Sequence, residues 1–165
     1  MIATRRLTVA DWQANRAIRI EAVAANPGLY FTTLAELEAR SDDAWRAMLE
    51  NPDLAIFGLY DGDLLVGVTA AYVDRDADPT GRTAGLAMSY IRPAWRGRGL
   101  TSLLYAPRLD WAREQGCARI HVTHRASNIP SMRAILRHGF VLTGREVHLW
   151  PDGEEEENCR YELML

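Results

Sequence analysis

The chain has 165 residues, of which 25% are charged and 48% hydrophobic, and its formal net charge is −3. That length suits one domain around one core, so residues 1–165 are read as a single domain. A negative balance argues against binding nucleic acid through bulk electrostatics. No apolar run approaches membrane-spanning length.

Cys117 and Cys159 have no metal-ligand spacing and suit a reducing compartment. The expectation is therefore a cytoplasmic protein with no metal and no membrane or nucleic-acid partner.

In chain order, residues 3–7 suit a short edge strand. Thr8 and Asp11 have capping-box spacing and open a helix carrying Trp12, Ile18, Ala22 and Val23, which ends before Pro27. Leu29-Tyr30-Phe31 follows as an apolar loop, and aromatic side chains on a loop often line a pocket. Thr33 and Ser41 cap two further short helices.

From Leu54 the period changes to that of strands. Two of them flank the hairpin signal Asp61-Gly62-Asp63, and a third ends at Ile91. A helix from Leu100 to Gln115, interrupted by Pro107, leads to a strand at residues 119–123. Strand, helix and strand in succession imply a parallel pair with a right-handed crossover. Asn128 caps a helix to His138, a strand covers residues 140–149, Pro151-Asp152-Gly153 turns, and residues 160–165 return. This order predicts an α+β domain, with one mixed, mostly antiparallel sheet of six to seven strands and helices on both faces.

The chemistry concentrates at Arg96-Gly97-Arg98-Gly99-Leu100-Thr101-Ser102, between the third of those strands and the long helix. Gly97 and Gly99 permit positive φ and close backbone approach. The free N–H groups of the following helix's first turn make an anion site, to which Arg96 and Arg98 add charge. A nucleoside-triphosphate loop would need Gly-Lys-Ser/Thr, which is missing, and a dinucleotide fingerprint would need glycine at position 102.

Arg96-x-x-Gly99-x-Thr101 resembles the Gln/Arg-x-x-Gly-x-Gly/Ala loop of the GNAT acyltransferases, with Thr101 in place of the small third residue. Asn128-x-x-Ser131-x-x-x-Ile135-x-x-x-Gly139-Phe140 is similar to a second motif of that family, and the element order matches over nearly the whole chain. The resemblance implies the GNAT fold, with acetyl-CoA as co-substrate and a splayed parallel strand pair. In that fold the pantetheine arm adds to the first strand as an extra strand would. Carried over residue by residue, it implies that Ser89 and Ile91 hold the arm through their backbone. A backbone N–H near Tyr90 would serve the oxyanion, residues 96–102 would hold the pyrophosphate, and Asn128 would flank the arm.

Acyl transfer to an amine also needs an acid for the departing thiolate and a route for the amine's proton. The family's tyrosine position is Ile135 here; a subgroup that acetylates protein N-termini and polyamines has serine four residues earlier, and resemblance to it implies Ser131 as the candidate acid. Positions where family members carry a glutamate base hold Gly85 and Thr123. His121 and His124 are then the candidate bases, with Glu146, His148, Glu162 or a water chain as alternatives. Tyr30, Phe31 and Trp150 are candidate walls of an acceptor site, and Glu154 to Glu157 a candidate rim attracting a cationic amine.

The implied activity is direct acetyl transfer to a primary amine of a small molecule or peptide, by an N-acetyltransferase able to act as a homodimer. The alternative is a catalytically inactive CoA-binding sensor or interaction module.

Overall fold

The computed structural model describes residues 1–165. Seven strands form one sheet: β1 (Ile2–Arg6), β2 (Leu54–Asp61), β3 (Leu64–Val73), β4 (Thr83–Ile91), β5 (Arg119–Arg125), β6 (Val141–Leu149) and β7 (Glu155–Met164). Their spatial order is β1-β2-β3-β4-β5-β7-β6. Every neighbouring pair is antiparallel except β4 with β5. The helices are α1 (Trp12–Ala25), α2 (Leu34–Ala39), α3 (Asp42–Glu50), α4 (Thr101–Glu114) and α5 (Ile129–Arg137).

Local chemistry sets the helix starts. Asp11 accepts the Thr8 N–H at 2.7 Å, but the turn it closes is a 3-10 turn over Val9–Asp11, so α1 begins at Trp12 rather than at the cap. Thr33 and Glu36 form a reciprocal capping box on α2, and the Ser41 hydroxyl accepts the Ala44 N–H at 3.1 Å on α3. α4 continues through Pro107 to Glu114.

Strand alternation gives each face of the sheet its own core. On one face Ile56, Val68, Ala70 and Tyr90 pack against Ile18 and Ala22 of α1. On the other, Ala55, Phe57, Ala71, Leu86, Ile120 and Val122 pack against Tyr105, Trp111 and Ala112 of α4 and Ala134 and Ile135 of α5. β6 is the sheet's outer edge and leaves Val141, Val147 and Leu149 exposed.

The last hairpin is longer than the turn signals alone suggest. β7 starts at Glu155, so the acidic run is mostly strand and the turn is confined to Pro151–Gly153. β5 likewise extends to Arg125. No helix is long and apolar enough to cross a membrane.

Gly85 sits where β4 and β5 pair, because the Tyr72 ring occupies the space above it. A Cβ there would lie 2.4 Å from Tyr72 Cζ and 2.5 Å from its hydroxyl oxygen. Gly85→Ala is expected to displace the ring and cost about 1–3 kcal/mol by overpacking, measured by denaturant unfolding. Adding Tyr72→Ala in the same chain should remove most of the penalty attributable to the clash.

Candidate active site

β4 and β5 pair for only three steps: Thr83 with Arg119, Ala84 with Ile120 and Gly85 with His121. Upstream of the splay lies regular sheet; beyond it β4 carries a bulge. Its register with β3 slips between Val68 and Ala70, so Met88 and Ser89 together face Thr69. Met88 has φ of 64°, the one non-glycine residue with positive φ. Such a bulge bends the strand, and the backbone strain costs about 1–3 kcal/mol. Beyond Gly85 and His121 the two strands no longer pair, and a cavity of about 720 Å³ occupies the gap.

At the far end of β4 the chain makes a short 3-10 turn, Pro93–Trp95, then enters the loop before α4. Gly97 and Gly99 adopt φ of 72° and 70°, and a Cβ built on either would meet nothing within 4 Å. Glycine is therefore required there by backbone conformation rather than by space. The Arg96 Nε donates to the Ile91 carbonyl at 2.7 Å, and an Arg98 Nη donates to the Ala94 carbonyl at 3.0 Å. Both guanidinium groups thus brace the loop, leaving its main chain to face the cavity.

Arg96, Gly97, Gly99, Leu100 and Thr101 line that cavity; Arg98 and Ser102 do not. The open cradle at the amino end of a 14-residue helix, continuous with the cleft between β4 and β5, fits a diphosphate with an extended arm.

Along β4, Ser89, Tyr90 and Ile91 also line the cavity. The Ser89 carbonyl accepts the Tyr30 hydroxyl at 3.0 Å, and the Ile91 carbonyl accepts Arg96. Each carbonyl oxygen has a second lone pair for a ligand N–H. Across the gap, Asn128 Oδ1 caps α5 by a long 3.4 Å bond from the Ser131 N–H, and both residues line the cavity. The cap engages the Ser131 N–H and leaves its side-chain hydroxyl without a hydrogen-bond partner in the chain. Ile135 is fully buried in the core and lies outside the lining.

The two candidate histidines separate. His124 lines the cavity, with Nδ1 2.7 Å from the Arg125 carbonyl and Nε2 3.0 Å from the Tyr161 hydroxyl. A carbonyl only accepts, so Nδ1 carries a proton, and Nε2 is already engaged. His121 does not line the cavity. Its Nε2 lies 2.7 Å from Asp74 Oδ2, and burial lowers its pKa against the pull of that carboxylate. Glu146, His148 and Glu162 also lie outside the lining.

Tyr30, Phe31 and Trp150 do converge on the cavity, with Phe31 stacked on Trp150 at a centroid separation of 4.7 Å. Arg125 ties this end together. It donates to the Gly28 carbonyl at 3.0 Å, to Asp152 at 2.6 Å and to Glu156 at 2.9 Å.

The acidic rim is corrected by these contacts. Glu156 is consumed by Arg125 and the Ser127 N–H, and none of Glu154 to Glu157 lines the cavity. The lining holds no Asp or Glu at all, but includes Arg19, Arg96, Arg108, Arg125 and Arg137. Of these, Arg19 and Arg108 lie under helical stripes that read as apolar. Tyr105 and Asn158 are also among the polar lining residues that sequence reasoning missed. No group of three His, Cys, Asp or Glu side chains is arranged to hold a metal ion.

The structure is similar to a family of solved folds. The yncA protein of Salmonella typhimurium, solved with its cofactor acetyl-CoA, superposes with a TM-score of 0.83 at 20% identity, over 99% of this chain and 94% of that one. A GNAT-family acetyltransferase from Streptococcus pneumoniae gives 0.86 at 15% identity, covering 100% of both chains. The ribosomal-protein-alanine N-acetyltransferase of Brucella melitensis gives 0.81 at 22% identity, covering 98% and 99%. Comparison with curated proteins finds no match. The family model described as acetyltransferase (GNAT) family matches residues 15–140. With the splayed strands, the bulge and the glycine loop in place, the chain belongs to the GNAT acetyltransferases and is an N-acetyltransferase by that membership.

Proposed function

We propose that this chain carries an acetyl group directly from acetyl-CoA to a primary amine of a small molecule or peptide. The observation that carries the reading is the continuity of two features. The main-chain cradle at Gly97 and Gly99 opens into the same cavity that the β4 bulge and the β4–β5 splay create. Arg96, Gly97, Gly99, Leu100 and Thr101 would hold the diphosphate, and the backbone of Ser89 and Ile91, with Asn128, would hold the pantetheine arm. The bound thioester supplies the activated acyl group.

The protein's own part is placement and proton traffic. A backbone N–H at the bulge, near Tyr90, would stabilise negative charge on the acyl oxygen without reorganising. Ser131 would give the departing sulfur its proton. Tyr30, Phe31 and Trp150 would exclude water from the acceptor side. His124 remains the candidate base only through Nε2, and its bond to Tyr161 favours a water chain as the amine's proton route.

The lack of a lining carboxylate and the engaged state of His124 also support a second reading, a CoA-binding sensor without turnover. A thiol-release assay with acetyl-CoA and a panel of primary amines separates them. Turnover with an amine is the expected result; CoA binding without turnover across a broad panel favours the sensor. If two copies pair, the exposed outer edge of β6 is the surface we propose for it.

A further inference from the structure

We infer that the acceptor is a small zwitterionic amino acid, whose carboxylate pairs with Arg19 and whose amine donates to Asn158. The inference rests on the transferase reading above and adds the chemical class of its acceptor. Five buried side-chain polar atoms lack a partner in the chain: Asn15 Oδ1, Arg19 Nη1, Trp45 Nε1, Trp111 Nε1 and Asn158 Oδ1. Of their residues, only Arg19 and Asn158 line the cavity.

Arg19 is 6% exposed and faces no carboxylate. The charged group that acts on it is another cation, Arg40, and burial lowers its pKa to about 10, which still leaves it charged at neutral pH. A buried guanidinium without a counter-ion is costly, and an oxyanion held in a bidentate pair removes that cost. Asn158 is 9% exposed and supplies a neutral acceptor.

Both groups border the same loop. Arg19 lies beside Tyr30, whose hydroxyl bonds the Ser89 carbonyl on the β4 bulge. Asn158 pairs in register with Arg125, which bonds the Gly28 carbonyl. A cationic donor and a neutral acceptor, in a cavity lined by arginines and no acid, complement a carboxylate and an amine on one small molecule. They oppose a polyamine, whose extra positive charge would meet Arg19.

The test uses matched acceptors: the common L-amino acids, their carboxamides and their decarboxylated amines. With acetyl-CoA in excess, at least one free amino acid should exceed its carboxamide in kcat/KM by about thirtyfold or more, the scale set by a desolvated charge pair. Arg19→Gln should erase most of that preference through KM, and Arg19→Lys should restore part of it. Calorimetric CoA affinity should be unchanged in both. Preference for the carboxamides or decarboxylated amines, or a preference that survives Arg19→Gln, overturns the inference.

The wild-type protein, alone and saturated with CoA, is also titrated with the same panel and its thermal midpoint followed. Upward shifts confined to free amino acids support the inference even without turnover; no shift from any free amino acid, with none turned over, overturns it. Failure of the wild type to bind CoA counts against the transferase reading instead.

Discussion

Replacing Gly97 and Gly99 together by valine is expected to weaken CoA binding by about 30- to 700-fold while the domain stays folded. Both residues hold φ near 70°, where an L side chain costs about 1–2 kcal/mol, so the valine pair relaxes the free loop and binding must spend about 2–4 kcal/mol to restore the cradle. A factor of ten corresponds to about 1.4 kcal/mol, which converts that cost into the stated loss. Neither Cβ would meet an atom within 4 Å. The loss would therefore come from backbone conformation and not from packing. Calorimetric titration of CoA measures the loss, and denaturant unfolding checks that the fold survives.

Ser131→Ala is expected to lower kcat by about a hundredfold, the low end of what a positioned proton donor contributes, with CoA affinity unchanged. Two tyrosine hydroxyls of the same cavity are constrained. Tyr30 is spent on the Ser89 carbonyl, and burial pushes its phenol up to about 12. Tyr105 is stacked on His138 at 3.9 Å, which fixes its ring, and burial raises its pKa above the ordinary phenol value. Ser131 reaches the same space from the first turn of α5 without either constraint. Stability should barely change, because the cap bond uses the Ser131 backbone and survives the substitution. Steady-state thiol release separates kcat from KM. An unchanged kcat would move the acid role to another group.

The parts legible in sequence were those written in local chemistry. Glycines between a strand and a helix require a particular backbone shape, and Gly97 and Gly99 adopt it. Capping residues Thr33, Ser41 and Asn128 marked helix starts because a side-chain oxygen must meet a free N–H. Alternation located the strands, but not where the last of them began. The four glutamates read as an acidic rim, yet Glu156 has tertiary partners in Arg125 and the Ser127 N–H that hold it within β7.

Charge at the acceptor end was misread for the same reason. The acidic run is conspicuous in sequence, whereas the cavity's cations are dispersed over α1, α4, α5, β5 and the loop before α4. Residues 15, 18, 19, 22 and 23 form one buried stripe of α1, and residues 104, 105, 108, 111 and 112 one stripe of α4. An arginine inside such a stripe is the signal that would have found Arg19 and Arg108. His121 and His124 share a strand, yet parity alone could not show that Asp74 holds one and that the other faces the cavity.

The central claim is that main-chain amides at the entrance to α4 grip a diphosphate. Backbone amide chemical shifts of the nitrogen-15-labelled protein, followed as CoA is added, test it directly. The account predicts saturable shifts, largest at Gly97 to Ser102, with smaller ones along Ser89 to Ile91. Saturable CoA binding that leaves the amides of residues 97–102 unmoved would contradict it.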